Sequence, residues 1–335
     1  MRSFLFAISL LASYTEAQRS SRGVASNKKW VVDNKYTFDS RSYYDFSKIN
    51  VAGGTTLKTK VPAGLKASDY NVDEYTYKPS NVAINGGYLL LKVNANSFTS
   101  GEVTTTSKMR YASVRTVAIL SDPAGTCNGM FFYQSDTQET DIEFLSNAKS
   151  ASNVDAAQAN GDRAGTRYLW LSNQASSASS QKVTTPVPLP ANPTSTEHEY
   201  RLDWLPGMTR FFVDGVQVWN STVNVPRNPG VWVFNNWANS DGYWAAGPPS
   251  RDSIFRIKEI DISRTCQSFQ CRSRRRKHRG DAERTISNAG SDISALETDV
   301  KMGFRRSFLM PKMAHIVREE EARRGRDRTP RPRFE

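Results

Sequence analysis

Cysteine and histidine are scarce in this sequence, which contains three of each. Because the cysteines are Cys127, Cys266 and Cys271, any single disulfide bond leaves one thiol unpaired. The cysteine spacing matches no set of zinc ligands, and the histidines are far apart in the sequence. The sequence therefore predicts no zinc site and leaves the pairing of the cysteines open.

Long apolar runs are absent except at the N-terminus. Residues Phe4 to Leu11 are mostly apolar, follow the basic Arg2, and precede small residues that end at Ala17. This pattern predicts a secretory signal peptide over residues 1–17, because the run is too short to cross a bilayer. A buried N-terminal strand is the alternative. Since no other segment is apolar enough for a membrane helix, we expect a secreted protein, extracellular or in the cell wall, without an integral membrane segment.

Positive charge is concentrated at the C-terminus. The formal net charge is +12, yet residues 272–335 hold 18 Lys and Arg against 10 Asp and Glu, a net charge of +8. The rest of the chain is therefore close to balanced. The composition predicts a basic, disordered tail over residues 272–335. Basic runs also contact nucleic acid, but in a chain with a secretion signal we expect no nucleic-acid partner, and anionic wall or membrane components fit better.

Short β-rich runs separated by turn residues dominate the middle of the chain. They predict an all-β, two-sheet sandwich in one domain over residues 30–266. In the run TRFFVDGVQVW, Asp214-Gly215 predicts a tight hairpin turn, because both residues accept positive φ angles. Residues 172–196, rich in Ser, Ala and Pro, are predicted to form a long surface loop. The strand-like runs are residues 88–93, 113–120, 129–133, 140–145, 167–171, 199–204, 209–213, 216–219, 231–234 and 254–263.

The stretch QETDIEFLS, residues 138–146, places Glu139, Asp141 and Glu143 at alternate positions. Side chains alternate between the faces of a strand and advance about 3.3 Å per residue, so these acids share one face. The outer two Cα atoms lie roughly 13 Å apart in a straight strand. Because like charges repel, at least one of the pKa values should be raised. A solvent-exposed acidic face and a calcium site are the alternatives, although ligands in a straight row surround an ion poorly.

Paired carboxyl groups on one face suit the cleavage of a glycosidic bond. A retaining glycosidase uses two carboxyl groups about 5–5.5 Å apart, one to attack the anomeric carbon and one to protonate the leaving oxygen. A concave strand and inward-leaning side chains bring Glu139 and Glu143 closer than their Cα atoms. Asp141 would then hydrogen-bond a neighbour and keep one glutamate in its working protonation state.

The same stretch resembles the active-site strand of glycoside hydrolase family 16, whose pattern is Glu-x-Asp-x-Glu, often followed by Phe-Leu. The resemblance implies that Glu139 is the nucleophile, Asp141 the assisting acid and Glu143 the general acid/base. Thr140 replaces the usual apolar residue, a mild change because threonine is β-branched.

Other stretches agree with this resemblance, which runs from about Tyr44 to Ser263. EHEYRLDWLPGMTRFFVDGV (residues 197–216) is similar to the family's His-x-Tyr, Asp-Trp and Val-Asp-Gly segment, and FNNWANSDGYWAAG (residues 234–247) to its Asn-x-Trp and Trp-x-Gly segment. NVAINGGYLLLKV and SKMRYASVRT precede them in the expected order. The resemblance implies a β-jelly roll of two antiparallel sheets with a concave substrate cleft.

Candidate substrate-binding residues follow from the same comparison. Sugar rings stack their C–H faces on aromatic planes and need polar partners for their hydroxyls, so Trp237, Trp244 and Asn235 are predicted to bind a glucan. Core packing is the alternative for either tryptophan. His198 is predicted to hydrogen-bond a carboxylate in the cleft, or else to be a satisfied structural histidine. The tryptophans predicted to lie in the core are Trp204, Trp219 and Trp232.

The resemblance implies a secreted, endo-acting, retaining enzyme that hydrolyses a β-glucan polysaccharide. One residue between Asp141 and Glu143 is the variant associated with mixed-linkage glucanases and wall transglycosylases, whereas laminarinases typically have two. This favours 1,3-1,4-linked or related glucans. A cell-wall transglycosylase and a non-catalytic carbohydrate-binding protein on the same fold are the alternatives. No cofactor is required, a structural calcium ion remains open, and we expect a monomer.

Overall fold

A computed structural model of the protein describes residues 24–26, 29–49, 57–58 and 61–265. The predicted signal peptide and the predicted basic tail lie outside these ranges, as do Cys266 and Cys271. The described ranges are almost entirely β-structure, with a single α-helix among them.

The strands are short and follow one another closely, as the turn-punctuated sequence predicts. In chain order they are β1 (Val24–Ser26), β2 (Lys29–Val32), β3 (Tyr36–Phe38), β4 (Ser40–Asp45), β5 (Leu57–Lys58), β6 (Leu65–Ala67), β7 (Tyr70–Val72), β8 (Tyr75–Tyr77), β9 (Val82–Asn85), β10 (Tyr88–Val93), β11 (Thr99–Thr105), β12 (Ala112–Ile119), β13 (Cys127–Ser135), β14 (Gln138–Leu145), β15 (Tyr168–Asn173), β16 (Val183–Pro188), β17 (His198–Leu205), β18 (Met208–Val213), β19 (Val216–Ser221), β20 (Val231–Trp237) and β21 (Ser253–Arg264). The helix is α1 (Ala151–Asn160), and 3-10 turns occupy Phe46–Lys48 and Pro79–Asn81.

Two nine-stranded sheets make up most of the fold. The front sheet has the order β16-β15-β14-β13-β20-β11-β8-β7, and β6 also pairs with β11. The back sheet has the order β19-β18-β17-β12-β21-β10-β9-β5, and β4 also pairs with β21. Strands β1, β2 and β3 form a separate three-stranded sheet. The two-sheet architecture is confirmed, but β8 and β11 run parallel, so the front sheet is mixed rather than purely antiparallel.

Alternating side chains from both sheets build the core. On β14, Ile142 and Phe144 are buried and join Val114 of β12 and Leu202 of β17 in one apolar cluster. Burying a side chain of this size stabilises the fold by about 1.5–3 kcal/mol. The prediction for three tryptophans is confirmed: Trp204 and Trp232 are part of the core, and Trp219 packs against it.

The hairpin prediction is confirmed. Strands β18 and β19 pair antiparallel around Asp214 and Gly215, whose φ angles are 50° and 79°. Positive φ at both central residues matches the right-handed twist of the flanking strands, which is why Asp-Gly suits this turn.

The prediction of one long loop over residues 172–196 is wrong in part. Strand β15 continues to Asn173, and β16 forms an edge strand of the front sheet. Pro186 and Pro188 suggested a loop, but an edge strand tolerates proline because its outward amides pair with no neighbour. Helix α1 was not predicted either, because its sequence lacks an apolar stripe of helical period. The residue that caps its C-terminus, Gly161, adopts the left-handed conformation with φ 71°.

Candidate active site

The strand that carries the acids is central in the front sheet. Strand β14 pairs with β13 on one side and β15 on the other. Thr140 and Ile142 point into the core, at 0% and 2% exposure. The Thr140 hydroxyl donates to the Ser172 carbonyl at 3.1 Å, so a polar group is satisfied at a core-facing position. Because side chains alternate, the acid row (Glu139, Asp141 and Glu143) lies on the opposite face, here called the acid face.

Glu139 and Asp141 form a hydrogen-bonded pair of carboxyl groups. Burial raises the pKa of Glu139 well above its ordinary range and raises the pKa of Asp141 to about 7. Repulsion between the charges of the acid row raises both pKa values further. Two adjacent carboxylates repel each other, so ionisation of one carboxyl group makes ionisation of the other less favourable. Gln174 donates from Nε2 to Asp141 Oδ2 at 2.9 Å, which fixes the orientation of the aspartate.

Glu143 has a different environment from the pair. Its Oε1 accepts two hydrogen bonds, from Trp244 Nε1 at 3.1 Å and from the Cys127 thiol at 3.3 Å. Glu143 and Glu139 are half-buried, whereas Asp141 between them is 1% exposed. The outer two acids are therefore the ones that a ligand on this face can reach.

Helix α1 holds the loop that carries Trp244. The first amides of the helix, those of Ala151 and Ser152, donate to the carbonyls of Gly242 and Tyr243 at 3.0 and 3.1 Å. Ser152 Oγ donates to the Tyr243 carbonyl as well, at 2.7 Å. Amides at a helix N-terminus have no partner within the helix, so the loop carbonyls satisfy them. This contact fixes the turn from which Trp244 reaches Glu143.

A second indole packs beside Trp244. The ring centroid of Trp170 on β15 lies 5.3 Å from that of Trp244, and Trp170 Nε1 donates to Asn153 Oδ1 at 3.1 Å. Asn153, on α1, is fully buried and donates to the carbonyls of Leu145 and Asn147 at 3.2 and 2.9 Å. Both N–H donors and the oxygen of this amide join the helix to the end of β14 and to Trp170.

Lys182 brings a positive charge to the acid row. Its Nζ lies 4.4 Å from the ring centroid of Trp244, a cation–π contact. Its charge opposes the effect of burial and lowers the pKa values of Glu139 and Asp141. The acid row is thus partly neutralised from the side of β16.

Asn235 lies on the acid face, two strands away from the acid row. In the sheet register it stands opposite Gly129, which stands opposite Glu143, so Asn235 and Glu143 are roughly 10 Å apart across the strands. Asn235 Nδ2 donates to Tyr77 OH at 2.8 Å and to Glu102 Oε2 at 3.5 Å. Its Oδ1, on a residue 3% exposed, accepts no hydrogen bond from the described residues. A Cβ atom at Gly129 would collide with this oxygen, so the glycine keeps the space open.

Neither tryptophan predicted to stack on a sugar offers an open ring. Trp237 is 6% exposed because Tyr75 stacks on it, with ring centroids 5.1 Å apart. Trp244 is 4% exposed between Trp170 and Lys182. Both rings are packed, as in the core-packing alternative, and Trp244 contacts the acid row through its indole N–H.

His198 is not brought to the acid row. It begins β17 in the back sheet, with Nδ1 2.8 Å from Asp214 Oδ2 and Nε2 2.7 Å from the Ala191 carbonyl. Asp214 also accepts a hydrogen bond from the Glu199 amide at 2.9 Å. Of the two alternatives for His198, these contacts match the structural one, because His198 braces the turn between β18 and β19.

Several contacts of the acid row were missed from the sequence. Gln174 and Lys182 lie in the segment predicted as a loop, and Cys127 was considered only for disulfide pairing. Gln174 follows Trp170 and Ser172 at alternate positions, so extending the predicted strand β15 by a few residues would have placed its side chain on the acid face. Asn153 gave no signal, because its role depends on how the helix packs.

Cys127 is a free, buried thiol. Across residues 24–26, 29–49, 57–58 and 61–265 no group of three or more side chains is arranged to hold a metal ion. Over the same part of the chain no helix has the length and apolar character needed to cross a membrane.

Comparison with known proteins finds related sequences. The family model described as glycosyl hydrolases family 16 matches residues 68–252. A β-glucanase of Paenibacillus polymyxa is 26% identical over 171 residues, which cover 48% of this chain and 64% of that protein. A β-glucanase of Acetivibrio thermocellus is also 26% identical over 171 residues, covering 48% of this chain and 46% of that protein. The match spans less than two thirds of the length of these relatives.

Solved structures share the fold. A β-1,3-1,4-glucanase (lichenase) derived from a mouse hindgut metagenome is 15% identical, with a TM-score of 0.51 over 67% of this chain and 99% of that chain. The β-glucanase of Bacillus licheniformis is 18% identical, with a TM-score of 0.50 over 67% of this chain and 98% of that chain. These similarities confirm the jelly-roll-like arrangement of the two sheets.

Proposed function

The chain belongs to glycosyl hydrolases family 16, and on that basis we propose that it is a secreted, endo-acting, retaining glycosidase that cleaves β-glucan. The proposal depends on one observation: the acids of the acid row have two different environments. Glu139 and Asp141 are hydrogen-bonded to each other and burial raises the pKa of each, while Glu143 is held separately by Trp244 and Cys127. Two carboxyl groups in different environments on one face suit two different roles in one reaction.

In the first step, Glu139 acts as the nucleophile. One carboxylate oxygen forms a bond to the anomeric carbon while the bond from that carbon to the leaving oxygen breaks. The proton of the pair then resides on Asp141, which donates it in a hydrogen bond to Glu139, and Gln174 holds Asp141 in place. Glu143 gives its proton to the leaving oxygen, so the departing chain leaves as a neutral alcohol.

In the second step, Glu143 acts as the base. It takes a proton from a water molecule whose oxygen bonds to the anomeric carbon, and the bond between that carbon and Glu139 breaks. The product keeps the β configuration, and both glutamates return to their starting states. If a sugar hydroxyl replaces the water, the same step becomes transglycosylation.

The acid row lies in the interior of the front sheet and not at its edge. Two strands of the front sheet lie beyond β14 on one side and five on the other, which favours cleavage within a chain over cleavage at its end. Two relatives named β-glucanases support a β-glucan substrate, and the single residue between Asp141 and Glu143 favours 1,3-1,4-linked or related glucans.

The test uses the purified protein with barley β-glucan, laminarin and xyloglucan, each with and without oligosaccharide acceptors. We expect new reducing ends from barley β-glucan or laminarin, with a rapid fall in viscosity because cleavage is internal. Longer products that appear only with acceptors would identify a transglycosylase. Binding without turnover would identify a carbohydrate-binding protein and reject the enzyme. A Glu139→Gln variant serves as the inactive control. Sequencing the N-terminus of the exported protein tests whether the signal peptide is cleaved after Ala17.

A further inference from the structure

Two donors from different parts of the chain meet on one oxygen of Glu143. The indole N–H of Trp244 lies 3.1 Å from Oε1, and the Cys127 thiol donates to the same atom at 3.3 Å. Among the described residues, Oε2 has no protein donor. The carboxyl group is therefore held by one oxygen, and the other is left for a ligand on the acid face.

Cys127 is placed by the register of the front sheet. It begins β13, opposite Trp237 on β20 and Leu145 on β14. Two residues further along β13, Gly129 stands opposite Glu143, so Cys127 projects from the acid face beside that glutamate. Its side chain is 0% exposed, and burial together with the Glu143 charge raises the thiol pKa well above its ordinary value. The sulfur therefore keeps its proton and acts as a donor.

We propose that Cys127 is a positioning residue for Glu143. Its S–H bond, together with the Trp244 N–H, fixes the plane of the carboxyl group so that Oε2 faces the glycosidic oxygen. The same bond stabilises the carboxylate that forms when Glu143 gives up its proton. The expected effect on kinetics rests on the proposed function, in which Glu143 gives its proton to the leaving oxygen.

Other charges around Glu143 stay constant when Cys127 is replaced. Glu139 and Asp141 are on the same strand, and Lys182 approaches from beside β16. From β8, Tyr75 and Tyr77 lie near enough to interact with the thiol. A neutral replacement at position 127 alters none of these charges, so a change in the pH profile reports the loss of the hydrogen bond.

The experiment compares Cys127→Ser, which keeps a donor, with Cys127→Ala, which does not. On barley β-glucan we expect the basic limb of the kcat/KM profile of Cys127→Ala to move up by about 0.5–1 pH unit, because the Glu143 carboxylate forms less readily. We expect kcat to fall about 3- to 10-fold, as for the loss of one weak charge-assisted hydrogen bond. Cys127→Ser should stay within about 2-fold of the parent. An aryl glycoside whose leaving group needs no proton should show little difference among the three proteins.

A purely space-filling role would give a different pattern. If Cys127→Ala had the same pH profile and kcat as the parent, or if Cys127→Ser shifted as far as Cys127→Ala, the proposal would be rejected. Loss of activity in the parent protein on every glucan would instead reject the proposed function.

An infrared measurement tests the hydrogen bond without any activity and without changing Cys127. The S–H stretching band is recorded for the parent and for Glu143→Gln, and their difference cancels the contributions of Cys266 and Cys271. At a pH above the basic limb of the activity profile, where Glu143 is ionised, we expect the band to move to higher wavenumber in Glu143→Gln, because an amide oxygen is a weaker acceptor than a carboxylate. An unchanged band would show that Cys127 does not donate to Glu143.

Discussion

Trp244 donates its indole N–H to Oε1 of Glu143 at 3.1 Å, across 101 positions of sequence. The contact depends on helix α1, whose first amides hold the carbonyls of Gly242 and Tyr243. It also depends on Trp170, which packs against Trp244 and bonds to Asn153 on the helix. The segment between β14 and β15 thus supports the residue proposed as the general acid.

Replacing Glu139 with Gln should reduce kcat on β-glucan by at least about 10³-fold, because an amide of the same shape cannot attack the anomeric carbon. The fold should be retained, since the amide N–H can donate to Asp141. Reducing-end assays and thermal melting measure the two effects. Normal turnover in this variant would remove Glu139 from the nucleophile role.

Replacing Glu143 with Ala should separate substrates by their leaving groups. Cleavage of β-glucan should fall by about 10²–10⁴-fold, because the departing sugar hydroxyl needs a proton. Formation of the glycosyl-enzyme from an aryl glycoside with a good leaving group should be largely preserved, and pre-steady-state release of the phenol measures it. Equal losses on both substrates would contradict the acid role.

The stereochemistry of the product distinguishes one displacement from two. Double displacement through Glu139 predicts that the first product from β-glucan is the β anomer. Proton NMR during the first minutes, before mutarotation, detects it. An inverting enzyme would release the α anomer and would need about 6.5–9.5 Å between its carboxyl groups to admit water.

Replacing Asp141 with Asn should change how stability depends on pH. Burial raises the pKa of Asp141 from 3.8 to about 7, so the folded protein binds more protons than the unfolded chain in this interval. The stabilisation from the protonated group is complete below about pH 3.8 and is lost as the pH rises through about 7. The Asn variant lacks this loss, so relative to the parent it should gain stability between about pH 4 and 7. Urea unfolding across this range measures the difference, and parallel curves would contradict the burial effect.

Replacing Asn153 with Ala should lower the free energy of unfolding by about 1–3 kcal/mol, because it leaves the buried Trp170 N–H without its acceptor and removes a donor from the Leu145 carbonyl. We also expect kcat to fall, since Trp170 supports Trp244. Asp155→Ala on the exposed side of the same helix is the matched control and should change stability by less than about 0.5 kcal/mol. If both variants behaved alike, Asn153 would not be the link between the helix and the acid row.

The strand pattern was largely predictable because it depends on short-range alternation. Asp214-Gly215 has turn chemistry of its own, and the acid row shares a face in any extended chain. Strand β16 and helix α1 were missed for the opposite reason. The prolines of β16 are tolerated only because the strand lies at an edge, and α1 is stabilised by its contacts with residues 242–243 rather than by an apolar stripe.

The motif places the acid row on one face of a strand, but the surroundings of the other candidate residues depend on distant neighbours. His198 matched a family segment, yet its partner is Asp214 in the back sheet. Trp237 is covered by Tyr75, a residue far away in sequence that only the pairing of β8 with β11 brings close. A single sequence specifies residue types but not which side chain covers a ring.

The spacing of the acid row is set by the sequence alone, because it follows from the two-residue period of a strand and needs no other part of the chain. The environment that makes the acids different from one another comes from the tertiary structure. Gln174 reaches Asp141 from 33 positions away, and Trp244 reaches Glu143 from 101 positions away. Such contacts depend on sheet register and on helix packing. The protonation of a buried carboxyl group depends on these neighbours, so its chemistry is a property of the fold rather than of the motif.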